Sequence, residues 1–183
     1  MVTTRCEAQE KLLERYAGYF DISYPQEEQV PLVALCEFHE HSEKYVLSRK
    51  AKLWQANSHE YIYLFSVSHL TEDLYHTFEN YAYTHGMEKI QPGPEHMYSY
   101  ITVMVLCDTC DEAAQRAVRR CRIYHSFRLS FWGWMDFHTS LAVLSDRKAF
   151  SNAGGKSAAQ LLETTLFDKA KQKTTLLRRE KTI

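Results

Sequence analysis

The chain has 183 residues, of which 45% are hydrophobic and 25% charged, and its formal net charge is −1. This composition is that of one globular domain and excludes a disordered chain. No apolar run approaches the roughly 18 residues of a membrane span, and the N-terminus lacks a signal-peptide core, so we expect a cytoplasmic protein with no membrane association. The five cysteines are an odd number, which fits a protein of a reducing compartment better than a disulfide framework.

Amphipathic helices are predicted in three places. The first follows a capping box, Thr4-x-x-Glu7, and the third opens with a second one, Thr109-x-x-Glu112. The helix between them ends near Gly86, a residue suited to a helix C-terminus. In each segment the apolar residues recur at helical spacing, which indicates that they pack on a core.

The first strands are predicted before the second helix. A turn near Ser42–Glu43 would pair residues 33–41 with 44–54, and a second turn at 56–58 would lead into a strand over 59–67. The segments EYIYLFSV and YITVMVLC are apolar on both faces, which is typical of central strands.

The last strands follow the third helix. The run 127–144 is too long for one plain strand, so we expect a bulge or bend at Gly133. Residues 145–148 then form a turn into a short strand ending at Asn152.

The predicted order of elements is α-β-β-β-α-β-α-β-β-β-α, with a mixed β-sheet in a single α+β domain. This domain spans residues 1–157, and residues 158–183 form a basic C-terminal helix or tail. Residues 1–100 carry 8 basic against 15 acidic residues, and residues 101–183 carry 14 against 8. Such polarity can attract an anionic partner, a nucleic acid included, or drive self-association into a homo-oligomer. The alternative, which we favour, is a solvated C-terminal helix whose end frays.

One candidate site is a charged face on the first predicted hairpin. Glu37, His39 and His41 alternate along a strand, so they share one side of it, and Lys50 and Lys52 are expected nearby. Two imidazoles and a carboxylate suit zinc, but neighbouring ammonium groups disfavour a divalent cation and suit an anion instead. A solvated surface is the simpler interpretation of this pattern, and the candidate site is an anion- or ligand-binding face without a metal or cofactor.

A second candidate site is presented by loops. Two prolines fix the backbone just before Glu95, His96 and Tyr98, and site residues are often presented in this way. Trp132 and Trp134 add aromatic surface beside basic residues and could stack on bases. Packing in the core is the alternative for these rings.

Two other motifs are interpreted as structural. Cys107-x-x-Cys110 lacks the second cysteine pair of a zinc ribbon, and its position does not match that of redox motifs. The segment from Asn152 to Ser157 resembles a phosphate loop but fails its glycine spacing, so nucleotide hydrolysis is rejected. Backbone amides around residues 154–156 remain a candidate anion contact.

Four strings look like those of a family of small uncharacterised bacterial proteins: KYVLSRKAKLW, EYIYLF, EHMYSYIT and FRLSFWGW. The resemblance covers residues 10–157 and implies no activity. The run α-β-β-β-α-β is also similar, in topology, to restriction-endonuclease-like nucleases. That likeness implies an acid and a Glu-x-Lys pair binding magnesium, but Glu60 has no lysine two residues on, so Lys50 or Lys52 would have to substitute.

We therefore favour a non-catalytic binding or assembly module. The alternative is a divergent metal-dependent phosphodiesterase or nuclease that uses Glu37, Glu60 and one of the two lysines. The sequence leaves open whether the protein is an enzyme, and it does not identify the ligand or the oligomeric state.

Overall fold

A computed structural model of the chain describes residues 4–25, 31–45 and 52–167, with the backbone alone at 41–45 and 52–56. These ranges contain four helices, α1 (Arg5–Tyr16), α2 (Glu72–Lys89), α3 (Glu112–Arg120) and α4 (Lys156–Leu166). They also contain seven strands, β1 (Asp21–Ser23), β2 (Leu32–Tyr45), β3 (Lys52–Leu70), β4 (His96–Cys110), β5 (Tyr124–Ser126), β6 (Trp134–Val143) and β7 (Lys148–Ser151). The α+β class and the predicted order of elements are confirmed.

All seven strands form one mixed sheet in the order β1-β2-β3-β4-β6-β5, with β7 beside the second half of β6. The central strands β3, β4 and β6 run parallel, and the other pairs are antiparallel. Helices α2 and α3 make the two parallel crossovers, and both pack on the same face of the sheet. We call this the first face; α1 and α4 pack on the opposite, second face.

Alternation along the central strands builds two cores. On the first face, aromatic and β-branched residues of β3 and β4 pack against α2 and α3, among them Tyr63, Phe65 and Val105. On the second face, Ile62, Leu64 and Met104 pack against α1 and α4. Since both faces are covered here, β3 and β4 are apolar on both sides, as predicted.

The predicted hairpin turns are wrong. β2 continues through Ser42–Glu43 to Tyr45, and β3 continues through residues 56–58 without a break. The two strands pair from Leu32 and Phe65 to Tyr45 and Lys52, and they extend past His96, the first residue of β4. A strand beyond the last neighbouring strand has no core to pack on, so its polar sequence resembles a turn. The short strand β1 was not predicted.

The helix caps were predicted with mixed success. The capping box at Thr4 and Glu7 is present, with each side chain bonded to the other residue's backbone amide. The box at Thr109 is wrong, because β4 stays paired with β3 up to Cys110, and Asp111 is the N-cap of α3. Thr109 instead hydrogen-bonds His69 through its hydroxyl.

The bend expected at Gly133 is present, between β5 and β6. Gly133 has φ of +77°, and a Cβ there would lie 2.4 Å from the carbonyl oxygen of Met97. Only glycine fits this close approach between the 127–133 turn and the start of β4. The predicted tail at 158–183 begins within α4, and residues 168–183 lie outside the described ranges. No helix in the described ranges is both long and apolar enough to cross a membrane.

A buried amide joins three elements at the start of α4. The Asn152 side-chain amide donates to the carbonyl oxygens of Cys121 and Phe137, at 3.2 and 2.8 Å. Its side-chain oxygen accepts from the backbone amides of Thr139 and Gly155, at 3.1 and 2.8 Å. The end of α3, the middle of β6 and the first turn of α4 are therefore held by one side chain.

We expect Asn152→Ala to lower the free energy of unfolding by about 3 kcal/mol, because it leaves buried donors and acceptors without partners. Urea denaturation followed by circular dichroism measures this change. Asn80→Ala, on the exposed side of α2, is the control and should change stability by less than about 0.5 kcal/mol. Equal effects of the two substitutions would contradict the role given to Asn152.

Candidate functional site

The predicted charged face lies on the first face of the sheet. Glu37 is the register partner of Tyr61, and His39 is the register partner of His59. The Glu37 carboxylate pairs with Lys89 of α2, at 3.0 Å. Lys50 and the side chains of His41 and Lys52 lie outside what the structure describes.

Beyond the end of α2, three imidazoles cross the first face from strand to strand. We call His39, His59 and His96 the histidine row. The Nδ1 atoms of His39 and His59 are 2.8 Å apart, so one ring donates and the other accepts. The rings of His59 and His96 stack with an interplanar angle of 8° and a centroid distance of 6.1 Å.

His96 is held in one tautomer. Its Nδ1–H donates to the carbonyl oxygen of Trp132, at 2.7 Å, because a carbonyl can only accept. Its Nε2 therefore accepts from the hydroxyl of Ser99, at 2.8 Å. A serine hydroxyl that is hydrogen-bonded to a histidine suggests a nucleophile, but Ser99 is fully buried and no substrate reaches it. His96 and Trp132 thus anchor the 127–133 turn to β4.

The pKa of His59 is lowered by burial and then by its neighbours His39 and His96. Two protonated rings at this distance would direct two N–H groups at each other. His59 therefore takes up a proton less readily than a free imidazole does.

The second face carries a different cluster on the amino-terminal halves of β4 and β6. Tyr98 and Tyr100 stack at a centroid distance of 4.7 Å, and Tyr98 stacks on Trp134 at 5.9 Å. The Tyr100 ring also contacts His138, at 4.5 Å. We call these three aromatic rings, with Glu60, Asp136 and His138, the aromatic patch.

Strand register positions the acids of the aromatic patch. Glu60 pairs with Tyr100 on β4, and Tyr100 pairs with Asp136 on β6, so the phenol lies between two carboxyl groups in one row. Asp136 also contacts His138 Nε2, at 3.3 Å. The pKa of His138 is lowered by burial, and Asp136 opposes that shift.

Glu60 is half-buried, and among the described residues it has no hydrogen bond or ion pair. Burial raises the pKa of its carboxyl group. Its neighbours are the phenols of Tyr16, at the end of α1, and Tyr100, whose pKa values are both raised by burial and then by nearby negative charge. A carboxylate in this position lacks the solvation of an exposed acid, so it gains strongly from any cation beside it.

Two hydroxyl groups without hydrogen-bond partners in the described ranges lie on the same strands as the aromatic patch. The hydroxyl groups of Thr102 and Ser140 are buried and have no hydrogen-bond partner in the described part of the chain. Thr102 is the register partner of His138 and follows Tyr100 on the same face of β4. Both hydroxyl groups are as buried as that of Ser99, so a ligand on the surface of the patch does not reach them.

The start of α4 borders the aromatic patch. A Cβ at Gly154 would lie 2.3 Å from the His138 ring, so this loop packs directly on the imidazole. The Gly155 amide, a candidate anion contact, already donates to Asn152. Because this amide is already hydrogen-bonded within the fold, it is not free to bind an anion.

The predicted loop site is divided between the two faces. His96 and Trp132 belong to the first face, whereas Tyr98 and Trp134 belong to the aromatic patch. Glu95 is exposed, and its backbone carbonyl accepts from Asn57. Sequence reasoning missed Tyr100 and His59 as site residues, although the alternation of Tyr98 with Tyr100 was visible.

The acids proposed for a nuclease do not converge. Glu37 lies on the first face and Glu60 on the second. The register partner of Glu60 is Phe38, the residue after Glu37, and neighbouring residues of a strand point to opposite faces. One ion between those two carboxylates is therefore impossible. In the described ranges, no three His, Cys, Asp or Glu side chains are arranged to hold a metal ion.

We expect Glu60→Gln to stabilise the protein at neutral pH. The folded-state pKa of Glu60 is raised, so ionisation costs stability as pH rises through that pKa, and the glutamine removes this cost. Thermal unfolding from pH 4 to 8 should show a stabilisation that is largest at high pH and disappears below the unfolded pKa. A variant less stable than the wild type at pH 8 would contradict this account.

Acidification should destabilise the wild type through His59, the middle residue of the histidine row. A lowered pKa means that the unfolded chain binds the proton more readily, so the stability present above pH 6.5 is lost as the pH falls below it. His59→Asn should reduce this loss between pH 7.5 and about 5.5. The exposed His76→Asn on α2 is the control, and an equal reduction by both variants would refute the assignment.

A protein-family model described as a domain of unknown function, DUF8052, matches residues 5–164. No curated protein and no solved structure matches the chain. The match spans most of the chain, including both faces of the sheet and all four helices except the last residues of α4. An uncharacterised family was expected from the sequence. The chain belongs to the DUF8052 family.

Proposed function

We propose that this protein is a non-catalytic binding domain whose aromatic patch holds a cationic group with a planar or apolar body. The observation that carries the proposal is the stack of Tyr98, Tyr100 and Trp134 beside Glu60, a carboxyl group without a described partner. Partly exposed rings on a sheet provide an apolar platform, and the adjacent acids provide charge.

The sign of the charge is set by the acids. Glu60 and Asp136 flank Tyr100 within one row, and Glu40 lies on the same face, bonded to Ser58. A phosphate or carboxylate ligand would meet repulsion from these groups. A cation gains instead from the carboxylates and from the faces of the rings, by about 0.5–2 kcal/mol for the rings alone.

Binding and protonation are linked at Glu60. Because burial disfavours its ionised form, the carboxyl group gains a proton more readily while the patch is empty. An arriving cation favours the carboxylate and releases that proton. Affinity for cations should therefore fall as the pH decreases through the raised pKa of Glu60.

The setting we propose is the bacterial cytoplasm. The support is compositional, since the chain has five cysteines, an odd number. The free state of the described cysteines is consistent with a reducing compartment.

Three probes of the same shape test the function. Benzamidine is a planar cation, benzamide its neutral counterpart and benzoate its anionic one. Isothermal titration calorimetry at pH 7.5 should give benzamidine an affinity at least about tenfold higher than benzamide, equivalent to about 1.4 kcal/mol, with benzoate weakest. Glu60→Gln and Asp136→Asn should each remove most of that advantage and leave benzamide binding unchanged.

Glu95→Gln is the matched control, since Glu95 is an exposed acid that precedes β4 and does not belong to the aromatic patch. It should leave benzamidine binding as in the wild type. The proposal fails if benzoate binds as tightly as benzamidine, or if Glu95→Gln lowers the affinity as much as Glu60→Gln does.

A further inference from the structure

The turn between β5 and β6 has an unusual backbone. Arg128, Leu129 and Ser130 have φ values of 48°, 54° and 69°, all in the left-handed region, and none of them is glycine. Each such residue costs about 1–2 kcal/mol relative to the right-handed conformation. Three in succession form a left-handed turn that the rest of the fold must stabilise.

The stabilising contacts are specific. The amide of Trp132 donates to Phe127, and the amide of Phe127 donates to Gly133, at 3.1 and 3.0 Å. The guanidinium of Arg128 lies 4.0 Å from the centre of the Trp132 ring. His96 fixes the base of the turn through the Trp132 carbonyl. The turn is thus held in one shape.

That shape exposes apolar side chains. Leu129 is 88% exposed and Phe131 is 81% exposed, at a turn whose sole charged residue is Arg128. In the described part of the chain, no acid forms an ion pair with Arg128. A fold that holds a strained turn to expose two large apolar residues and a cation has the form of a preorganised docking element.

We propose that Arg128, Leu129 and Phe131, here called the tip, dock on the aromatic patch of a second copy of this chain. The inference rests on the proposed function, because it names the tip as the cationic and apolar group that the patch accepts. The free edge of the Arg128 guanidinium can donate to Asp136, while Leu129 and Phe131 cover the rings of Tyr98 and Trp134.

The position of the tip suits a symmetric dimer. Phe131 and Trp134 are only three residues apart in the chain, so tip and patch are neighbours on one corner of the molecule. A two-fold axis between them brings each tip onto the partner's patch and forms the same contact twice. Two copies of each ion pair and each apolar contact then stabilise one interface.

Charge reversal tests this pairing. Arg128→Glu sets the tip's new acid against Asp136, and Asp136→Arg sets two arginines together, so each variant alone should lose dimerisation by at least about tenfold in Kd. An equimolar mixture of the two variants pairs Arg with Asp at one contact and Glu with Arg at the other. Sedimentation equilibrium should therefore show the mixture recovering twice the 21.5 kDa monomer mass.

Two controls accompany the mixture. Arg122→Glu, an exposed arginine outside the tip, should leave the dimer intact, and thermal melts should show that every variant is folded. Benzamidine should dissociate the wild-type dimer by occupying the patch.

The possible failures are distinguishable. A wild-type monomer at all concentrations, or a dimer that neither charge variant weakens, overturns the docking proposal even if benzamidine binds the patch. Loss of dimer in both variants without recovery in the mixture also overturns it. Failure of benzamidine to bind at all contradicts the proposed function instead, and recovery in the mixture would then support docking on its own.

Discussion

The register of three parallel strands determines where every candidate group of this protein lies. The pairing of β3 with β4 has no shift after Ser58 and Tyr98, and the pairing of β4 with β6 has none between Tyr98 and Cys107. Residues in one row therefore share a face of the sheet across all three strands. Glu60, Tyr100 and Asp136 form one such row on the second face. A slip of one residue in any strand would move its member of the row to the opposite face, into the apolar core.

The helices divide each face into a covered half and an uncovered half. On the second face, α1 and α4 bury the carboxyl halves of the strands, where Leu64, Met104 and Ala142 pack. The amino halves carry rings, acids and an imidazole in place of aliphatic residues. The core and the proposed binding surface therefore lie at opposite ends of the same strands, and substitutions in the aromatic patch should cost little core packing.

Much of this arrangement could be predicted from the sequence. The apolar runs of β3 and β4, the capping box at Thr4 and the bend at Gly133 have strong local causes, and the structure has each of them. Alternation alone also placed Glu37 and His39 on one side. The division of Tyr98 from His96 was not predictable, because residues two apart in a strand normally share a face and only the register shift at Asn57 and Ser58 separates these two.

What the sequence could not provide was the pairing between distant segments. The contact between His39 and His59 depends on hairpin register, and the row of Glu60, Tyr100 and Asp136 joins strands separated by long helical crossovers. The left-handed turn at Arg128 had no sequence signal, because none of its three residues is glycine or asparagine. Tertiary contacts from Trp132 and His96 impose that conformation.

The imidazole pair on β2 and β3 has a mechanical consequence. Past Asn57, which pairs with His96, the backbone of these strands continues to Tyr45 and back from Lys52, and in the described ranges no third strand lies beside that portion. A two-stranded ribbon twists more freely than a sheet of three or more strands. The hydrogen bond between the two rings therefore restrains the ribbon where it leaves the sheet. The torsional stiffness of the projecting segment depends on the single proton in that hydrogen bond.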